Sequence, residues 1–463
     1  MKHRHISFIF FLTVFIVGCS RTTPPAPTLT LHETYREEGN WKHATPNEHA
    51  MRGAWWEMYH DETLNALMQE LLAFNPSIAK YEALYKQALA TVESSRASLF
   101  PTLSLGASAT KSQTTSNGNN TEQSRSTTYK LPLQASWEVD IWGDKRAYVD
   151  ASALSAEASL NDLEAAKLSA QTLLAQNYFQ LKNVDAQEAL LAQTLKAYEK
   201  SLTITTNQYK AGIVTKKDLI TAQAQLKSVE AQKIDLHTQR QQLEHAIAVQ
   251  LGKVPSVFSL TTQPLVPIVL PSIPYTLPSE LLERRPDIAA AERRMKQTNL
   301  QVGIAQDAWF PTITLTASSG YQNNALSSLI SKPNLIWALG GSLSQSIFDG
   351  GAKEAAIKQV QGAYEANIAS YKQTVLSAFQ QVEDALVTLE TLQREAIVQK
   401  EAVDLAQQAL DFTLYQYQQG ITNYTSVVVA QASLLNNQIT ALSIQNRQIL
   451  ASIALISALG GSF

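Results

Sequence analysis

Cysteine is almost absent from this chain: Cys19 is the only one among 463 residues, which excludes a disulfide framework. Charge of one sign is not in excess either. A formal net charge of −3 leaves no electrostatic footprint for nucleic acid or for a strongly charged partner. The eight histidines are scattered and mostly near the N-terminus, without His-Glu-x-x-His or Cys/His ligand spacing, so no metal site is expected. There is no Gly-x-Ser-x-Gly elbow and no phosphate loop, and Gly350-Gly351 reads as a strand-to-helix turn, so an enzyme is the least favoured class. Beyond the N-terminus no apolar run reaches about 18 residues, the length that marks a transmembrane helix. A membrane crossing would therefore have to be made by strands.

The first residues form a targeting segment. Lys2 and Arg4 give a basic start, and Ile6 to Val17 an apolar stretch too short to span a bilayer. It ends Ile16-Val17-Gly18-Cys19-Ser20, small residues before a cysteine, which resembles the bacterial lipoprotein signal. That resemblance implies a covalent lipid (palmitate among its acyl groups) on Cys19 and removal of 1–18; Ser20 after the cysteine fits sorting to the outer membrane. An ordinary signal peptide with an incidental cysteine is the alternative. Residues 19–60, rich in Pro, Thr and charge, read as a tether.

Helical spacing then begins near Asp61, is interrupted at Asn75-Pro76, and ends at Phe100-Pro101. Thr102 to Thr110 alternates apolar and polar. After a polar run, Lys111 to Thr127, that reads as a solvated loop, Tyr129, Leu131, Leu133, Ala135, Trp137 and Val139 alternate again. Strand, loop, strand makes a β-hairpin over about 102–140. From Asp144 the period changes to that of a very long Ala-rich helix. Leu181, Val184, Leu191, Leu195, Tyr198 and Leu202 keep a heptad-like register up to a break at Gly212. A return helix carries Leu219, Ala222, Leu226, Val229, Leu236 and Leu243. Residues 251–280 hold six prolines and read as a linker.

After the linker the pattern recurs at an offset of about 206 to 210 residues. Asn75-Pro76 returns as Arg285-Pro286, Phe100-Pro101-Thr102 as Phe310-Pro311-Thr312, and Tyr209 with Gly212 as Tyr417 with Gly420. The chain is a tandem repeat, 61–250 and 281–463, the second copy with a hairpin over about 312–348 and a helical tip near 420. Each copy supplies two strands of membrane-spanning length, so the fold class is an α+β membrane protein. Four strands cannot close a barrel, and open edges are not tolerated in hydrocarbon. Three chains would close twelve strands. A soluble sandwich is the competing reading. The paired long helices fit a helical tunnel beside such a barrel.

These residues resemble the trimeric outer-membrane efflux channels, the lipoprotein subunits that partner resistance–nodulation–division (RND) pumps. The resemblance rests on Trp55-Trp56-Glu57, Asp61 with Leu64-Asn65-Ala66-Leu67, Asn75-Pro76, Phe100-Pro101 and Trp137-Glu138-Val139-Asp140-Ile141-Trp142-Gly143 in the first half. In the second it rests on Leu281-Leu282-Glu283-Arg284-Arg285-Pro286-Asp287-Ile288, Phe310-Pro311-Thr312, Phe379-Gln380-Gln381-Val382-Glu383-Asp384, Ala430-Gln431 and the closing Leu459-Gly460-Gly461. It implies a homotrimer with a twelve-stranded outer-membrane β-barrel, four strands per chain, continued by a periplasmic α-helical barrel. It also implies contact of the helical tips with a periplasmic adaptor and, through it, an inner-membrane RND-type pump, with outer-membrane lipid around the barrel and no cofactor beyond the lipid on Cys19.

The family's periplasmic aperture lies at the tips, here Tyr209, Gly212 and Asp218 on the first and Tyr417, Gly420, Ser426 and Val429 on the second. The family pattern after Tyr–x–x–Gly has two acidic residues three apart, and this chain has Ser426 and Val429 at those positions. Only Asp218 keeps an acid, between Lys216-Lys217 and Leu219. The expected constriction is less acidic than the family's. The implied function is a passive exit duct for small molecules, including drugs. Alternatives are a duct for one-step (type I) protein secretion and a non-channel coiled-coil lipoprotein scaffold.

Overall fold

The computed structural model describes residues 53–115, 123–262 and 285–461. Cys19, the signal segment 1–18, most of the tether, much of the linker and residues 281–284 lie outside these. In chain order the elements are α1 (Glu62–Phe74), α2 (Pro76–Ala97), β1 (Thr102–Leu105), β2 (Ser108–Thr115), β3 (Gln123–Glu138), α3 (Asp144–Lys210) and α4 (Lys216–Gln250), then α5 (Pro286–Asp307), β4 (Thr312–Asn323), β5 (Leu335–Ser344), α6 (Ala352–Gln418) and α7 (Tyr424–Ala458). The repeat is visible in these bounds. α3 and α6 both have 67 residues and α4 and α7 both 35, and α6 and α7 start 208 residues after their counterparts (Asp144 and Ala352, Lys216 and Tyr424).

The chain divides into two compact units, each described by itself. The first comprises Leu84–Ser159 and Ala290–Tyr371 and holds the sheet. Its order is β1-β3-β4-β5, all antiparallel, with β2 also on β3. β1 and β2 are two segments of one arm, so the sheet has four arms. The break falls at Gly106-Ala107, opposite Pro132 and Leu131. Gly106 donates its N–H to the Pro132 carbonyl at 2.9 Å, but proline has no N–H to return the bond. On the other side of β3, Gly320 opposes Pro132 so closely that a Cβ there would lie 2.2 Å from the Leu131 carbonyl oxygen. Glycine is required at that position.

The polar run Lys111 to Thr127 corrects the sequence reading. Much of it is not loop: Lys111 pairs Thr127, Ser112 pairs Ser126, and Gln113 pairs Arg125. Ser112 and Ser126 hydroxyls bond at 3.0 Å, and Arg125 Nε donates to Gln113 Oε1 at 2.9 Å. Backbone pairing persists here without apolar alternation, because neither face of this part needs an oily neighbour.

Directly opposite residues share a face, so the register shows how the sheet is divided. Ala135, Ala317 and Leu339 lie in one row, Trp137, Leu315 and Gly341 in the next, and Leu133, Ser319 and Trp337 in a third. The other face carries Ser136, Thr316 and Gly340, and Gln134 with Ser318. Leu103, Leu105, Leu315, Leu335, Trp337, Leu339 and Leu343 are exposed within the chain. One oily and one wet face, with unpaired edges at β1/β2 and β5, is what one chain's share of a membrane barrel requires. Two tryptophans fix strand ends to the helical segments. Trp137 Nε1 donates to the Leu99 carbonyl at 3.0 Å and Trp142 Nε1 to the Pro311 carbonyl at 2.8 Å, with Trp142 stacked on Phe310 at 4.9 Å.

The second unit, the described part of Leu29–Ala83, Leu160–Ala289 and Lys372–Phe463, is helical. Its main core gathers Trp55, Trp56, Tyr59, Leu64, Met68 and Leu71 against Leu174, Tyr178, Phe179, Ile247, Ile449, Ile453 and Ile456. The heptad residues pack as the sequence anticipates: Val184, Leu191 and Tyr198 meet Leu226, Val229 and Leu236. α7 is long and apolar enough for a membrane span, but Ile449, Ile453 and Ile456 place its C-terminal part in this core.

Buried charges are paired. Asp61 caps α1 through the Leu64 N–H at 3.0 Å and accepts from Lys182 Nζ at 2.8 Å and Tyr178 Oη at 2.9 Å. Burial pushes the Asp61 carboxyl up, yet the Lys182 bond and the other donors outweigh it and hold its pKa below the usual value. Further along, Arg240 bridges Asp185 at 2.7 Å and Glu244 at 2.8 Å and donates to the Leu260 carbonyl, while Leu260 N–H donates to Glu244. Burial raises the Asp185 pKa despite that arginine.

The repeat also explains Arg285. Asn75 Nδ2 donates to the carbonyl of Gln250, the last residue of α4, at 2.7 Å. Arg285 Nη1 does the same for Ala458, the last residue of α7, at 3.0 Å, while its other nitrogens clasp Asp287 at 2.7 and 3.0 Å. Both side chains satisfy orphan carbonyls at a helix end. The Arg-Pro-Asp stretch is structural.

Candidate functional site

The tips are built from the same local chemistry twice. At the end of α3, Gly212 adopts φ +74° and donates to the Tyr209 carbonyl at 2.9 Å, while Ile213 N–H reaches back to Gln208 at 2.9 Å. At the end of α6, Gly420 at φ +73° donates to Tyr417 and Ile421 to Gln416, at 3.0 and 2.9 Å. Both are Schellman stops, which need a residue comfortable in the left-handed region. The following residues turn the chain back. Ile213 and Ile421 are each 71% exposed at the apices.

The return helices start differently. Thr215 caps α4: its Oγ1 accepts from the Asp218 N–H at 3.3 Å, and the Asp218 carboxylate accepts from the Thr215 N–H at 3.0 Å and hydroxyl at 2.7 Å. That is a reciprocal capping box. Asp218 is therefore engaged within its own turn. In the second copy Asn423 is the cap, accepting from the Ser426 N–H at 3.1 Å, and the Ser426 hydroxyl bonds Asn423 Oδ1 and Thr422 Oγ1 at 3.2 and 3.0 Å. Val429, one turn on, is 64% exposed.

The two tips are joined side by side. Tyr417 Oη donates to Gln208 Oε1 at 2.7 Å, and the Tyr424 and Ser201 hydroxyls bond at 3.0 Å. Tyr424 is buried with Val427 and Ala222, and its ring meets that of Tyr417 edge-on at 5.5 Å. Burial raises the Tyr417 pKa, so it stays a phenol and a donor. Of the seven tip residues expected from sequence, Tyr417 takes part in this junction. Gly212 and Gly420 shape the turns, and Asp218 and Ser426 cap helices. Tyr209, 38% exposed, and Val429 have no bond in the junction. Sequence reasoning missed Gln208, Ser201 and Tyr424. Tyr424 was accessible as an aromatic in the first turn after the cap, while Gln208 and Ser201 carry no local signal. Among the described residues no group of three or more His, Cys, Asp or Glu is placed to hold a metal ion.

An amphipathic four-armed sheet with open edges, two long helical hairpins and paired tips define one protomer of an outer-membrane duct. Comparison with known proteins agrees over nearly the whole described length. The chain belongs to the outer membrane efflux protein family, which it matches over residues 67–253 and 277–461. It is 30% identical over 423 residues to the solvent efflux pump outer membrane protein SrpC of Pseudomonas putida, covering 88% of this chain and 87% of that one. Among solved structures it is similar to the outer-membrane channel OprN, with a TM-score of 0.88 and 25% identity, covering 96% of this chain and 99% of that one. It is also similar to the outer membrane protein VceC of Vibrio cholerae, with a TM-score of 0.80 and 30% identity, covering 88% and 98%. The protein is an outer-membrane efflux component. Three chains form a twelve-stranded β-barrel in the membrane and an α-helical barrel in the periplasm, with four arms from each chain.

Proposed function

We propose that the trimer is the passive exit duct of a tripartite efflux system, carrying small molecules from a periplasmic adaptor and an RND-type inner-membrane pump to the exterior. The duct performs no catalysis and takes its energy from the pump. Lipidated Cys19 anchors the chain to the outer membrane. Kinship to a solvent efflux component supports lipophilic compounds and drugs as cargo. The tips, with Tyr209, Gly212 and Asp218 on one and Tyr417, Gly420, Ser426 and Val429 on the other, form the periplasmic aperture and adaptor contact.

The observation that carries this reading is the pair of hydroxyl bonds, Tyr417 to Gln208 and Tyr424 to Ser201, that join the two hairpins at their tips beside the Ala222, Tyr424 and Val427 packing. The second hairpin can move from the first only by breaking them, so they hold the aperture narrow. Deleting the gene should sensitise cells to solvents and lipophilic dyes, with resistance restored by the intact gene. Restoration by a Cys19→Ser chain that no longer incorporates labelled palmitate would show that the duct works without its anchor. Unchanged susceptibility in the deletion strain, with its adaptor and pump expressed alone, would contradict the efflux role.

A further inference from the structure

The tips carry an unusual distribution of charge. Lys210, Lys216 and Lys217 are exposed on the first tip, and none makes an ion pair among the described residues. The one acid beside them, Asp218, is committed to the Thr215 cap. Residues 412–433, from the end of α6 through the start of α7, contain no charged residue. Lys216 and Lys217 occupy the first turn of α4, at the positive end of the helix dipole, where a cation is disfavoured. Helix stability therefore gives no reason for them.

Lys217 also reaches the second hairpin. It lines a groove of about 570 Å3 with Ala406, Ala409 and Thr413 of α6 and Asn423, Ser426 and Val429 at the start of α7. Among the described residues, Lys217 is the only charged one lining it. The nearest acid on α6, Asp411, is two positions from both Ala409 and Thr413, on the opposite side of that helix, and accepts from Gln407 at 2.9 Å. Ser426 and Val429 are where the family pattern would place carboxylates. In their stead the groove offers hydroxyls, an amide and an ammonium.

We propose that the aperture of this duct prefers anions, with Lys217 supplying the selecting charge and Ser426, Asn423 and Thr413 the polar lining. This rests on the reading that the tips form the aperture. Three protomers place three such ammonium groups around one opening. A ring of like charge at a constriction sets which sign of solute enters, as it does in channels generally. The cargo class favoured is then anionic or zwitterionic amphiphiles, carboxylates and sulfonates above simple cations. Ser426 and Val429, being neutral, add no countercharge; Asp218 keeps its carboxylate charge within the cap, and against Lys210, Lys216 and Lys217 it leaves the first tip net positive.

The test is the reversal potential of purified trimers in planar bilayers under a KCl gradient, for the intact protein, Lys217→Gln and Lys217→Glu, each also on a Tyr417→Phe background that loosens the junction. The expected result is a chloride excess in the intact channel, a permeability ratio near unity in Lys217→Gln, and potassium excess in Lys217→Glu. Current with potassium excess in the intact protein, or a ratio that Lys217→Glu leaves unchanged, overturns the anion preference while leaving the duct standing. Absence of current in every background overturns the duct reading and the inference with it.

Discussion

Lys182 shows how single residues hold the helical unit together. Its ammonium is almost wholly buried and its partner carboxylate, Asp61, nearly so, with 8% and 13% of their side chains exposed. Removing one member of such a pair leaves an uncompensated buried charge. Lys182→Met should lower stability by about 3 kcal/mol, read from thermal unfolding of the detergent-solubilised trimer. The double change Asp61→Asn with Lys182→Met should cost less than the single one, because no lone charge remains. The pH dependence follows from the lowered Asp61 pKa. A carboxyl whose folded pKa lies below its unfolded one stabilises above the ordinary carboxylate range, and that contribution is lost as pH falls through the folded value. Stability should therefore fall off below about pH 4, and Lys182→Met should make that fall shallower, because without the ammonium the Asp61 carboxyl is no longer held as far below its unfolded value.

At the scale of elements, the two return helices differ in a way the sequence states plainly. α4 begins with the reciprocal box Thr215–Asp218, whereas α7 begins with Asn423 and a Ser426 that cannot return the bond to the cap's N–H. Thr215→Ala should cost about 1 kcal/mol and speed amide exchange in the first turn of α4 while leaving α7 unchanged. Ser426→Asp should complete a box in the second copy and slow exchange there by a similar mechanism. It would also add a ring of carboxylates beside Lys217, so it should weaken any anion preference.

Much of this level was legible. The alternation from Leu131 to Trp137, the heptad run from Leu181 to Leu202 and the returning Phe-Pro and Tyr–x–x–Gly pairs located strands, hairpins and repeat, because burial enforces periodicity. The polar arms around Lys111 and Thr127 were not legible. Where neither face is buried, backbone pairing leaves no apolar period to read. Asp218 was readable as a cap from the Thr-x-x-Asp spacing, Thr215 to Asp218. The Tyr417–Gln208 bond joins residues 209 positions apart, and no local pattern announces it.

At the scale of the whole molecule, the four-armed sheet cannot exist alone in a membrane. The edges at β1/β2 and β5 each need a neighbour, and three copies supply them. Detergent-extracted protein should therefore be threefold symmetric in electron micrographs. Gly320→Val, which sets a β-branched side chain against the Leu131 carbonyl, should reduce the yield of trimers that resist dissociation in detergent without altering the helical hairpins. On the proposed reading the cargo path follows from the same assembly: a wet inner face in the barrel and, at the tips, an aperture held narrow by two hydroxyl bonds per protomer.

The claim most exposed to test is that these bonds keep the duct closed. One neutral hydrogen bond contributes about 1 kcal/mol, so three Tyr417→Phe changes acting together are worth about 3 kcal/mol, or roughly a hundredfold in the ratio of open to closed channels. The decisive measurement is single-channel recording of the intact trimer and of Tyr417→Phe in planar bilayers. The account predicts brief, rare openings in the first and long, frequent ones of the same or larger conductance in the second. Equal open probability in the two would contradict it.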